Sequence, residues 1–260
     1  MTRSTDSLEV RPVALVTGVG RTNGIGFAVA AQLARDGYDV ATSYWTSYER
    51  RIFPDHEEDI ASEVVNCLER LGARAAPIES DLEEPEAAPR LFDSVEAALG
   101  RVAALIMCHC ESVDTGILDT TVQGFDRHFA VNARATWLLI REFALRHTSV
   151  SGAGRIVAFT SDHTVGNVPY GASKGALDRI TIAAAQEFAG RGITANVINP
   201  GPTDTGWMTQ RLKSEVASDT PLQRVGMPQD AANLVSFLCS AQGGWVNGQL
   251  LHSNGGLGVG

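Results

Sequence analysis

The chain lacks any run of about eighteen apolar residues, the length a membrane-spanning helix needs. Its opening stretch, MTRSTDSLEVRP, carries no apolar core of the kind found in a secretion signal. Neither export nor membrane insertion is therefore expected. Cysteine is scarce: Cys67, Cys108, Cys110 and Cys239 form no CxxC pair and no framework spacing. That argues against a disulfide scaffold and makes a reducing cytoplasm the expected compartment. Positive charge is also in deficit, with a formal net charge of −9. Such a surface does not suit nucleic acid or anionic lipid, both of which attract basic patches. Linkers, internal repeats and low-complexity segments are missing as well, so residues 1–260 read as one domain.

What the chain does have is a 44% apolar composition and 26 glycines, enough for a large core with many tight turns. Short apolar segments rich in β-branched residues alternate with longer stretches of helical spacing. The strand-like segments fall at 12–18, 38–44, 73–81, 102–110, 154–161, 193–202 and 248–253. Helical patterns occupy 26–37, 59–72, 86–100, 124–147, 170–192 and 228–240. Strands apolar on both faces, separated by helices, predict an α/β fold. It would be a Rossmann-like, doubly wound parallel sheet of about seven strands with helices on both faces. Residues 45–58 and 203–227 read as long loops. Residues 203–227 follow a strand's C-terminal end, where open parallel sheets bind ligands, so they read as a mobile lid or a plain surface excursion.

The segment VPYGASKGAL sets Tyr170 and Lys174 four residues apart, on one face of a helix. An ammonium beside a phenol favours the ionised phenol and eases its proton off. Between the first strand and the first helix lies TGVGRTNGIG, residues 17–26. Glycines there let backbone N–H groups approach a phosphate at the helix N-terminus. Gly20, Gly24 and Gly26 fit G-x-x-x-G-x-G, while Gly18 sits two residues earlier. The second strand ends in Tyr44 with no acid after it, and Asp39 is at the strand's other end. An NAD site usually places an acid at this point to read the ribose 2′-hydroxyl. Arg21, with Arg50 or Arg51, is instead available for a 2′-phosphate. The reading therefore favours NADP over NAD.

With the glycine turn and the Tyr170/Lys174 pair, the chain resembles the short-chain dehydrogenase/reductase family in its single-domain form, over roughly residues 12–257. SDL (80–82) matches the segment whose Asp81 meets the adenine, with Leu82 beside it. VNARA (131–135) matches the stretch bearing Asn132, and AFTS (158–161) ends in Ser161. NPGPTDTGW (199–207) matches the loop that closes over the nicotinamide, through Pro200, Gly201 and Thr203. The resemblance implies a catalytic set of Asn132, Ser161, Tyr170 and Lys174. Tyr170 would be the general acid or base, its pKa lowered by Lys174. Ser161 would hydrogen-bond the carbonyl oxygen, and Asn132 would support a water path to Lys174. Gly18, Gly20, Arg21, Gly24, Ile25, Gly26, Tyr44, Asp81, Leu82, Cys110, Pro200, Gly201 and Thr203 would contact the dinucleotide. A homodimer or homotetramer through the long helices is also implied.

Three features depart from the family pattern. The glycine turn is two residues longer than usual, and counting from Gly20 places the insertion between strand and cradle. It is open whether Gly18 or Gly20 approaches the pyrophosphate. The family's NNAG is replaced by CHCE (108–111), where Glu111 would weaken the segment's hold on the cofactor or point away. Strand alternation turns His109 away from both cysteines, so no metal is expected. Finally, Ser161 and Tyr170 are closer in sequence than is usual in the family, which should reshape the substrate side. His163 could line that pocket or face solvent, and Val165, Pro169, Trp207 and Met208 are further candidate lining residues. The expected activity is NADP-dependent hydride transfer between the cofactor and a small carbonyl or alcohol. The alternative is a cofactor-binding scaffold with little turnover. Enoyl reductases of related fold space the tyrosine and lysine more widely, and sugar-nucleotide epimerases add a larger C-terminal region, so both are disfavoured.

Overall fold

The computed structural model describes residues 11–54, 59–148 and 153–258. Residues 1–10, most of the stretch read for a secretion signal, and residues 55–58 of the first long loop lie outside the described residues. Among the described residues, no helix is long and apolar enough to cross a membrane.

Seven strands form one parallel sheet: β1 (Val13–Thr17), β2 (Asp39–Tyr44), β3 (Ala75–Glu79), β4 (Val102–Met107), β5 (Gly154–Phe159), β6 (Ile193–Asn199) and β7 (Leu250–His252). Their spatial order is β3-β2-β1-β4-β5-β6-β7. The order reverses between β1 and β4, which opens a crevice at the C-terminal edge of the sheet. The central strands are mostly apolar and buried because both faces are covered. Leu15, Leu105 and Met107 pack with Phe92, Leu139, Phe143 and Leu177 on one side. Val16 and Ile106 pack with Val29, Leu33, Val64 and Leu238 on the other. The helices on the first side are α4 (Ala87–Ala98), α6 (Ala135–Arg146) and α7 (Val168–Glu187). Those on the second are α1 (Ile25–Arg35), α3 (Ile60–Arg70) and α9 (Pro228–Cys239).

Both stretches read as long loops contain a helix. Residues 45–58 hold α2 (Thr46–Ile52), and 203–227 hold α8 (Gln210–Asp219). Neither helix has a fully buried residue, so the apolar periodicity that marks a core-facing helix is weak in both. The long helix expected over 124–147 is α5 (Val122–His128) and α6 joined by a π-helical turn, Phe129–Arg134. The acid of Asp39 is structural, as its place at the start of β2 suggests. It accepts from the Arg74 backbone N–H and side-chain Nε, both at 2.8 Å.

Leu105 is fully buried in the middle of the sheet. Leu105→Ala should cost about 2–5 kcal/mol of unfolding free energy by denaturant titration. A loss well below about 1 kcal/mol would mean the two-sided packing does not hold there.

Candidate active site

A cavity of about 1470 Å³ opens at the crevice between the C-terminal ends of the strands. Its floor is the glycine turn. Gly18 has φ +75°, and a Cβ there would lie 2.5 Å from the His109 backbone, so glycine allows the end of β1 to pass the end of β4. A Cβ on Gly26 would meet the Gly18 carbonyl oxygen at 2.7 Å. Gly18 and Gly26 are thus the close-packed pair. Gly20 is not at that crossing, and its open side is covered by the Glu49 carboxylate. Residues 21–24 form a turn, closed by the Gly24 N–H to the Arg21 carbonyl at 3.1 Å. Gly24 caps α1 with no side-chain hydrogen bond. Gly24, Ile25 and Gly26 line the cavity, so the first N–H groups of an eleven-residue helix meet it without a side chain between. That cradle fits a dinucleotide's pyrophosphate.

Tyr44, Asp81, Leu82 and Cys110, expected to contact the dinucleotide, all line the cavity. Asp81 closes its own turn by accepting from the Glu83 N–H at 2.9 Å. Two of the three arginines expected to be available for a 2′-phosphate, Arg21 and Arg51, are paired with acids that the sequence reading did not place here. Arg21 Nε is 3.0 Å from the Glu49 carboxylate, and its guanidinium lies 3.7 Å from the centre of the Phe53 ring. Arg51 pairs with Glu111 and lies over the Tyr48 ring at 5.5 Å. Arg50 is exposed and off the cavity. Glu49 was missed because it belongs to α2; its only signal is a short TSYERRI pattern of helical composition.

The CHCE segment is built into the fold rather than loosely accommodated. Glu111 is 4% exposed and turns to Arg51 instead of solvent. Its backbone is clasped by Asn132, whose Oδ1 accepts from the Glu111 N–H at 2.8 Å and whose Nδ2 donates to the Glu111 carbonyl at 2.9 Å. Asn132 Nδ2 also lies 2.9 Å from Ser173 Oγ, in α7. Asn132 projects from the π-helical turn, a feature frequent at functional sites. His109 Nε2 is 3.1 Å from the Val131 carbonyl, which can only accept, so Nε2 carries the proton. Its Nδ1 then accepts from Thr17 Oγ1 at 2.7 Å. Both imidazole nitrogens are engaged.

The Lys174 ammonium is almost fully buried. It donates to the Phe159 carbonyl at 2.8 Å and approaches that of His109 at 3.5 Å. Burial lowers its pKa, and Cys110, Cys108 and Asp178 oppose that shift. Its Nζ is 5.7 Å from the centre of the Tyr170 ring. Ser161 and Tyr170 line the cavity together. The expected lowering of the phenol pKa by Lys174 does not dominate. Burial pushes the phenol up, Cys110 adds to this, and only Ser161 works the other way. The phenol is accordingly protonated at neutral pH.

Pro200, Gly201 and Thr203 line the far wall, and Gly201 turns at φ +60°. Of the expected substrate-side residues, His163 and Trp207 reach the cavity. Val165 is exposed and away from it, while Pro169 and Met208 are buried outside its lining. Leu212 and Val216 of α8 contribute apolar lining instead. The turn over 21–24 also reaches this wall, since Arg21 Nη1 donates to the Thr205 carbonyl at 2.9 Å.

Burial, reinforced by the nearby Lys174 ammonium, pushes the His109 pKa down to about 3. The folded value lies below the unfolded value of ~6.5. Stability is therefore whole above ~6.5 and falls with acidification toward the folded value, by up to about 1.4 kcal/mol per pH unit. Denaturant titrations from neutral pH toward pH ~4.5 should lose less stability in His109→Asn than in the unsubstituted chain. Equal acid slopes would mean His109 takes up its proton without unfolding.

A family model described as Enoyl-(Acyl carrier protein) reductase matches residues 18–258. The chain is 34% identical to the Uncharacterized oxidoreductase YjdA of Bacillus subtilis (strain 168), over 94% of this chain and 96% of that one. It is 34% identical to the NADPH-dependent aldehyde reductase-like protein, chloroplastic, of Arabidopsis thaliana, over 94% and 93%. The crystal structure of the angucycline C-6 ketoreductase LanV with bound NADP superposes with a TM-score of 0.84 at 28% identity, covering 96% of each chain. With its order-reversing parallel sheet, glycine cradle and Tyr170/Lys174 helix, the chain belongs to the short-chain dehydrogenase/reductase family, a group of oxidoreductases.

Proposed function

We propose that the whole chain acts as one NADP-dependent carbonyl reductase unit, with its catalytic groups at Ser161, Tyr170 and Lys174. The observation that carries this reading is the Tyr170 phenol, which lines the cavity together with Ser161 and Lys174 and is kept protonated by burial. A nicotinamide dinucleotide held there supplies the hydride. A substrate carbonyl oxygen placed at the two hydroxyls would accept a hydrogen bond from Ser161 and the proton from Tyr170. A phenol with a raised pKa is a donor at neutral pH, which favours the reductive direction. Lys174 keeps a positive charge in a site of low dielectric, steadying the phenolate that remains. Asn132 fixes the Glu111 backbone and Ser173, so it orients the floor on which Tyr170 stands.

The NADP-bound ketoreductase and the aldehyde reductase relative support both the cofactor and the carbonyl. The four-residue spacing of Tyr170 and Lys174 favours a carbonyl over a carbon–carbon double bond. Trp207, Leu212 and Val216 line the cavity with apolar surface, which suits a substrate with an apolar body. Exposed Trp137 and Leu145 on α6 support self-association through the long helices. A chain with this acidity and no membrane-crossing helix among the described residues suits a cytoplasmic setting.

Tyr170→Phe should abolish NADPH oxidation across a panel of aldehydes and ketones while leaving the Kd for NADPH within about twofold, since the ring is kept and only the proton donor is lost. Retained turnover would remove Tyr170 from proton transfer. NADPH binding without oxidation by the unsubstituted chain, on a broad panel, would point to the scaffold alternative. Ser161→Ala should lower kcat by about a hundredfold.

A further inference from the structure

The ribose end of a dinucleotide site is read in one of two ways: an acid accepts from a 2′-hydroxyl, or an arginine meets a 2′-phosphate. Here both groups stand at the same place and hold each other. Glu49 lies in α2, just past the end of β2. Its Oε2 is 3.0 Å from Arg21 Nε, and its carboxylate covers Gly20 so closely that a Cβ there would overlap it. The two side chains are only 17% and 16% exposed, so little solvent screens them. The remaining contacts of Arg21, with the Thr205 carbonyl and the Phe53 ring, fix its guanidinium at this spot. Both residues line the cavity beside Tyr44 and Trp45 at the end of β2. The second arginine of α2 on the cavity, Arg51, is likewise committed to an acid, Glu111.

We infer that Glu49 is a specificity residue that restrains NADP binding by acting as the resident counter-ion of Arg21. A 2′-phosphate must compete with the Glu49 carboxylate for the guanidinium and bear its repulsion at close range. A 2′-hydroxyl meets no such competition, because it can donate to the carboxylate while the ion pair stays intact. The structure therefore assigns the chain a narrower gap between the two dinucleotides than Arg21 alone would create. This inference rests on the dinucleotide reading of the cavity proposed above.

The test measures equilibrium binding, not turnover. Kd values for NADPH, NADH, 2′,5′-ADP and 5′-AMP would be obtained by calorimetry or fluorescence quenching for the unsubstituted chain, Glu49→Gln and Glu49→Ala. Thermal melts would check that each variant is folded. Removing the carboxylate should tighten NADPH and 2′,5′-ADP by about tenfold and leave NADH and 5′-AMP within about twofold or weaker. The gain should shrink as salt is raised. Unchanged or weaker NADPH binding in both folded variants would overturn the inference, as would equal gains for NADPH and NADH. If the unsubstituted chain binds neither dinucleotide, the dinucleotide reading falls and this inference with it. If it binds them and the variants leave the ratio unchanged, this inference alone falls.

Discussion

A positive charge buried at the meeting point of two strand ends organises the candidate site. An ammonium taken out of water is costly unless oxygen atoms replace its hydration. The carbonyls of Phe159 and His109, at the C-terminal ends of β5 and β4, do this for Lys174. The strands can offer those carbonyls only because the parallel sheet leaves their last groups unpaired at the crevice. The helix carrying Lys174 must then pack where its Tyr170 overlooks the cavity.

The segment that differs most from the family pattern is tied to that centre. His109 lends its carbonyl to Lys174 while its ring bridges Thr17 and Val131. Glu111 brings a second buried charge, answered from above by Arg51 and held from below through its backbone by Asn132. Glu111 thus links α2 to the π-helical turn that packs against α7. The two ion pairs, Arg21 with Glu49 and Arg51 with Glu111, fasten α2 across the cavity mouth. They bring together acids and bases that lie far apart in the sequence.

The parallel sheet, its helices and the order of the motifs were legible in the sequence because they follow from local periodicity. VALVT and GRIVAF are dominated by apolar and β-branched residues, the pattern of strands covered on both sides. Tyr170 and Lys174 share a face because a helix has 3.6 residues per turn. Helices α2 and α8 were not legible, since neither buries a residue fully and neither carries a strong apolar stripe. The π-helical turn inside the expected 124–147 helix left no compositional mark.

Amino-acid order alone thus determined the layered architecture, the family, and which side chains had the right chemistry. Tertiary structure decided what those side chains experience. Gly18 rather than Gly20 sits at the crossing of β1 and β4, because that depends on where a distant strand ends. The phenol of Tyr170 is raised rather than lowered because burial, reinforced by Cys110, outweighs the opposing effect of Ser161. Charge type is a property of the residue, but solvation and pairing belong to the packed molecule, and they set the sign of the effect.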